Sequence, residues 1–337
     1  MLRRLRVLRE PDQEAVMLAG VPNPTALRGG LRLFLRALSA ALTPSNRDAD
    51  YDNLMGLSGL AFMLPSFAED EPVLDRGDVG ELLPGALRAL GVQGMVLSAT
   101  TPEEAQTWTE PITQALRAGF GVPVLGWPEE PDDWAVLTGV DPGRSVWVGW
   151  PAGYEEQTCL GAPPRACKAL VLAGTCEATP PWEAATASFE WALSRRRQMT
   201  AAHDTWCQVL KGQKEGTKEA AKPRGEQLAA HVRLRSWLAD ARYSAAKFVE
   251  SCADLAPASA LDGLEAAVDH YEEAARAIEW VPVPLEEDLE GDDLDFAEGE
   301  ESLEQAFDAL LRSESAALDG LSQALKGEPV GDEWFAG

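Results

Sequence analysis

The chain has 337 residues, 45% of them apolar and 25% charged, a balance that fits a folded globular protein and excludes a disordered one. Its 29 basic and 55 acidic side chains leave a formal charge of −26. That sign opposes nucleic acid and anionic membranes, both of which are bound through clustered Lys and Arg, and the length suits two domains.

Five cysteines (Cys159, Cys167, Cys176, Cys207 and Cys252) form no zinc-type pair, and only three histidines occur, at 203, 231 and 270. Neither a disulfide scaffold, a structural metal nor any other cofactor is indicated. The start carries Arg3, Arg4, Arg6 and Arg9 but no secretory apolar region, and no run of about 18 apolar residues occurs anywhere. A cytoplasmic protein of bacterial style is the expectation.

In chain order, Leu27, Leu31, Phe34, Leu35, Leu38 and Leu42 recur at helical spacing behind Pro22, Pro24 and Thr25, which predicts a helix starting near Thr25. Residues 51–64 are apolar but broken by two glycines. A helix over 79–90 ends at Gly91, and a strand follows over 93–98. A second helix over 103–118, capped by Thr101, leads to strands at 122–127, 134–138, 146–149 and 168–174. Helices followed by antiparallel strands predict an α+β domain over 1–179.

Pro180-Pro181 marks a change of composition. Residues 180–326 lack strand alternation and predict a helical bundle, with helices over 182–210, 225–255, 258–280 and 302–325. The segment 285–304 carries eleven acids and no base, which predicts a solvated loop, and 327–337 reads as a tail.

Two blocks resemble a known group. Tyr51 to Phe62 (YDNLMGLSGLAF), with the helix before it, is similar to the N-terminal domain of butirosin biosynthesis protein H and related bacterial proteins. Gly121 to Pro151 (GVPVLGWPEEPDDWAVLTGVDPGRSVWVGWP) resembles the strand–turn–strand core of bacteriocin-processing cysteine peptidases. The resemblance implies a papain-like N-terminal domain with a cysteine at a helix start, a histidine opening the strand at 134–138, and a third group on the next strand. At those positions stand Thr25 and Ala26, then Asp133 and Trp134, then Trp150, and no histidine precedes His203.

A catalytically degenerate protein that binds a small molecule, a peptide or a partner protein is therefore the leading expectation. The alternative is an acyl or peptidyl transferase, or a cysteine-peptidase-like enzyme of the butirosin type. Weak catalytic candidates are Thr25, with Asp133 as partner, and Cys159; Thr25 also fits a plain helix N-cap. Ser58, in Gly56-Leu-Ser-Gly59, has the spacing of a nucleophile elbow, but packing or a hydrogen bond to backbone is the expected role.

The tryptophans supply the binding hypothesis. Gly126-Trp127-Pro128 and Gly149-Trp150-Pro151 repeat a triplet 23 residues apart, each at a strand end, with Trp134 between them. Trp127, Trp134 and Trp150 are candidates to line a cleft, made acidic by Asp133 and its neighbours and suited to a cationic ligand; sealing the interface with the helical domain or filling the core is the competing role. His203, beside Arg195 to Arg197, reads as a histidine on a helix surface.

Overall fold

The computed structural model describes residues 6–8, 15–27, 33–47, 49–63, 77–127, 134–141, 143–151, 154–161, 167–211, 224–281 and 299–326. They form ten α-helices and eight strands, an α+β arrangement. Asp133, most of the acidic segment 285–304 and the tail 327–337 lie outside the described residues. The chain divides into two compact units, one of residues 1–54 and 80–180, the other of residues 55–79 and 181–337.

The first unit opens with β1 (Arg6–Leu8) and β2 (Ala15–Met17), two three-residue strands too short to show alternation in sequence. The expected helix from Thr25 is corrected. Pro24–Ala26 is a single 3-10 turn, and Leu27 leaves it with extended backbone at φ −68° and ψ 138°. Helix α1 spans Leu33–Leu42, and α2 (Tyr51–Leu57) carries the chain from the first unit into the second. Helix α3 (Gly77–Ala89) ends where Gly91 takes φ +67°, and β3 (Val92–Ala99) follows.

The expected helix over 103–118 is two helices, α4 (Pro102–Gln106) and α5 (Thr109–Arg117). Pro111 has no N–H to give to the Thr107 carbonyl, so it fits the first turn of a new helix better than the middle of an old one. Thr101 caps α4 as expected: its Oγ1 accepts from the Glu104 N–H at 3.3 Å.

Strands β4 (Val122–Leu125), β5 (Trp134–Asp141), β6 (Val146–Trp150), β7 (Thr158–Gly161) and β8 (Cys167–Thr175) complete the sheet. All its pairings are antiparallel, in the order β1-β2-β5-β4-β8-β3, with β6 on β5 and β7 on β6. Every residue of β5 from Trp134 to Val140 is buried, which requires cover on both faces. Phe34 of α1 meets Trp134 on one face, ring centroids 4.7 Å apart. Trp150 pairs with Val136 and so shares that face. Trp147, three residues earlier in β6, points to the other, where Trp108 stacks on it at 6.4 Å just ahead of α5.

The described part of the second unit is helical: α6 (Pro181–Ser194), α7 (Arg196–Leu210), α8 (Arg224–Ser251), α9 (Leu261–Trp280) and α10 (Gly299–Lys326). The expected helix over 182–210 is interrupted at Arg195. Residues 55–63 belong here too. Ser188 Oγ donates to the Gly56 carbonyl at 2.5 Å, a Cβ at Gly56 would run into the Phe248 ring, and Phe62 packs against Phe189, Phe248 and Tyr271.

Helices α9 and α10 run antiparallel in close backbone contact. A Cβ on Gly320 would lie 2.8 Å from the Ala267 nitrogen, and one on Gly263 would lie 2.5 Å from the Ala324 nitrogen. Replacing Gly320 by Ala is expected to cost about 1–3 kcal/mol through overpacking. Gly85→Ala in α3, where a Cβ meets nothing within 4 Å, is expected to stabilise by about 0.5–1 kcal/mol. Chemical denaturation of both variants reads the opposite signs.

Candidate functional site

The residues expected to form a remnant cleft separate in the structure. Trp127 follows Gly126, which at φ +81° turns the chain out of β4. Its indole is 1% exposed, lies 6.5 Å from Trp147, and donates from Nε1 to the Gly161 carbonyl at 3.0 Å. Trp127 thus belongs with Trp147, on the sheet face opposite Trp134 and Trp150. Trp134 is 4% exposed against Phe34. The three tryptophans therefore line no common cleft; the repeated triplet hides a difference of parity, since Trp150 ends its strand and Trp127 lies beyond its own.

Ser58 takes the packing role and not that of a nucleophile elbow. It is buried in the turn after α2 and donates to the Met55 carbonyl at 3.3 Å, with the geometry of local packing. Cys159 is exposed on β7 in a unit whose sequence holds no histidine. Burial pushes the Cys167 thiol up to about 11 and the Cys252 thiol up to about 12. Burial also raises Cys207, with Lys211 opposing and nearby carboxylates assisting. A nucleophilic thiol needs the reverse shift.

Two expected positions do come together. Trp150 is half-buried, and its Nε1 donates to the Val21 carbonyl at 3.0 Å, while Asn23 Nδ2 donates to the Tyr154 carbonyl at 2.8 Å. The segment carrying Thr25 is thereby fastened to the end of β6. Asn23 Oδ1 caps the 3-10 turn, accepting from the Thr25 N–H at 2.9 Å and the Thr25 hydroxyl at 2.7 Å. Arg36 of α1 braces the same segment, donating to the Pro24 carbonyl at 3.0 Å and the Thr25 carbonyl at 2.6 Å. Thr25, Ala26, Tyr154, Glu155 and Glu156 stay exposed around this corner.

The second unit contains a polar cluster that sequence reading missed. His203, expected on a surface, is wholly buried: its Nε2 meets Glu314 Oε2 at 2.7 Å, and Arg242 Nε donates to Glu314 Oε1 at 2.5 Å. Arg242 Nη1 donates to the Ala61 carbonyl at 2.7 Å and the Met63 carbonyl at 3.3 Å. Burial pushes the Glu314 carboxyl up, but Arg242 and His203 outweigh it and hold the group down at about 2. Nearby, Trp206 Nε1 donates to His231 Nδ1 at 3.1 Å, so that ring nitrogen carries no proton.

One signal could have revealed the cluster. Leu303, Phe307, Leu310, Glu314, Ala317 and Leu321 follow one heptad stripe, and a carboxylate in that stripe must be buried and therefore paired. Among the described residues no group of three or more His, Cys, Asp or Glu side chains could hold a metal ion, and no helix is long and apolar enough to cross a membrane.

The chain matches no known protein-family model and no curated protein.

Removing Glu314 would leave the Arg242 charge buried without its counter-ion, so Glu314→Ala is expected to cost about 3–5 kcal/mol. The pH dependence has a fixed sign. A carboxyl lowered from 4.5 to about 2 contributes its full stabilisation above 4.5 and loses it as the pH falls to about 2. The stability gap between the wild type and Glu314→Gln, measured by urea titration, should shrink as the pH falls across that interval.

Proposed function

We propose that this chain is a cytoplasmic, catalytically degenerate papain-like protein that binds a small molecule, a peptide or a partner protein, with a helical bundle as its second unit. The observation that carries this reading is the corner at Trp150. Two positions at which the resemblance requires catalytic groups, Thr25 and Trp150, are held together by the Trp150 and Asn23 hydrogen bonds, yet they bring neither a thiol nor an imidazole. What the corner offers instead is a hydroxyl, the exposed Tyr154 ring and two carboxylates, Glu155 and Glu156.

Those groups suit a cationic ligand. An aromatic face and nearby carboxylates together favour an ammonium or guanidinium group. Such a ligand also accords with a formal charge of −26, which draws cations toward the surface generally.

The enzyme reading has one specific observation in its favour, the exposure of Cys159. It lacks an imidazole to activate that thiol within the unit, because the first histidine in the chain is His203.

Thermal-shift screening of primary amines and Lys/Arg-rich peptides is expected to yield a binder whose affinity falls about tenfold or more in Tyr154→Ala, with unfolding little changed. Unaltered affinity in that variant would place the site elsewhere. Labelling with a thiol-directed electrophile near neutral pH is expected to find no hyper-reactive cysteine. Rapid, selective modification of Cys159 would favour the enzyme instead.

A further inference from the structure

The cluster around Glu314 leaves polar groups that no described residue satisfies. Arg242 is wholly buried and has three nitrogens to place. Nε reaches Glu314 and Nη1 reaches the Ala61 and Met63 carbonyls, but Nη2 has no partner among the described residues. The Tyr271 hydroxyl, equally buried, has none either.

The two groups share a neighbourhood. Phe62 stands between the carbonyls that hold Arg242 Nη1, and its ring lies 5.7 Å from the Tyr271 ring, centroid to centroid. Guanidinium and phenol therefore border the same three residues, 61–63. Burial raises the Tyr271 hydroxyl's pKa, and the charges of Arg242 and Glu314 act on it, as expected at close range.

A buried polar atom without a partner costs about 1–3 kcal/mol, and the great majority find one. A guanidinium cannot escape by losing a proton, so Nη2 requires an acceptor. We infer that the second unit encloses one internal water molecule that accepts from Arg242 Nη2 and bonds the Tyr271 hydroxyl.

The chemistry selects water over charged alternatives. Nη2 has protons and no lone pair, so it repels a metal ion. An anion would find the Arg242 charge already matched by Glu314 in direct contact, and the next cation, Arg196, is paired with Asp319 at 2.5 Å. Water both donates and accepts, and buried waters commonly make about three hydrogen bonds to groups of this kind. It would link α8 to α9, which the Glu314 carboxylate does not reach by any hydrogen bond.

The test is Tyr271→Phe in the full chain, a variant that keeps the ring and removes only the hydroxyl. If the hydroxyl binds a water, its loss strips that water of a partner and the melting temperature should fall by about 2–4 °C. If the hydroxyl is simply unsatisfied, its removal relieves a penalty, and an unchanged or raised melting temperature overturns the inference. A melting temperature of the wild type that climbs with chloride at constant ionic strength overturns it too, in favour of an anion. A high-resolution crystal structure of the wild type should show a single water peak within hydrogen-bonding distance of both atoms; Tyr271 bonded directly to protein would overturn it.

Discussion

The carboxylate of Glu314 is the constraint around which the second unit is organised. Moving an ion out of water costs several kcal/mol, and only close, well-directed partners offset it. Here those partners are Arg242 from α8 and His203 from α7, so one side chain of α10 fixes two neighbours at once. Apolar stripes alone would tolerate slippage by a heptad, because leucine facing leucine looks much the same one repeat along. A single buried acid in the stripe removes that freedom. The contacts along α7 and α10 agree with one register: Arg196 with Asp319, His203 with Glu314, and Lys211 with Glu304.

The same cluster explains why the chain is threaded as it is. Arg242 spends Nη1 on the carbonyls of Ala61 and Met63, Ser188 reaches back to Gly56, and Phe62 completes an aromatic group with Phe189, Phe248 and Tyr271. These bonds commit residues 55–63 to a unit whose helices begin more than a hundred residues later. A composition change such as Pro180-Pro181 marks where the helical sequence starts, but it carries no information about an earlier segment captured by buried polar contacts. A boundary drawn there alone therefore omits part of the helical unit.

Local chemistry was legible where it acts locally. Thr101 and Glu104 cap α4 from adjacent positions, Gly91 and Gly119 take left-handed conformations at helix ends, and β4, β5, β6 and β8 fall within a few residues of their apolar runs. What escaped depends on partners far along the chain. Thr25 looked like a helix start because Pro24 and the leucine spacing suit one; in fact Asn23 closes a single turn there, and Arg36 holds the segment through its carbonyls. Strands β1, β2 and β7 are too short to show a period. The tryptophans misled because resemblance between two triplets says nothing about which face of a sheet each ring takes.

The first unit spends its polar side chains on holding shape. Trp150, Asn23 and Arg36 each direct N–H groups at backbone carbonyls of the corner or its neighbour, and Trp127 does the same at Gly161. A hydrolytic site of the papain type needs the opposite provision, in which a thiol and an imidazole are held close enough to exchange a proton and remain otherwise uncommitted. An indole, a carboxamide and a guanidinium accept no proton near neutral pH. They do keep Thr25 and Tyr154 in fixed positions at the surface, and a preformed surface loses little entropy when something docks on it. Rigid placement without a thiol or an imidazole at the corner suits recognition, and on that ground the proposed role of this unit is binding.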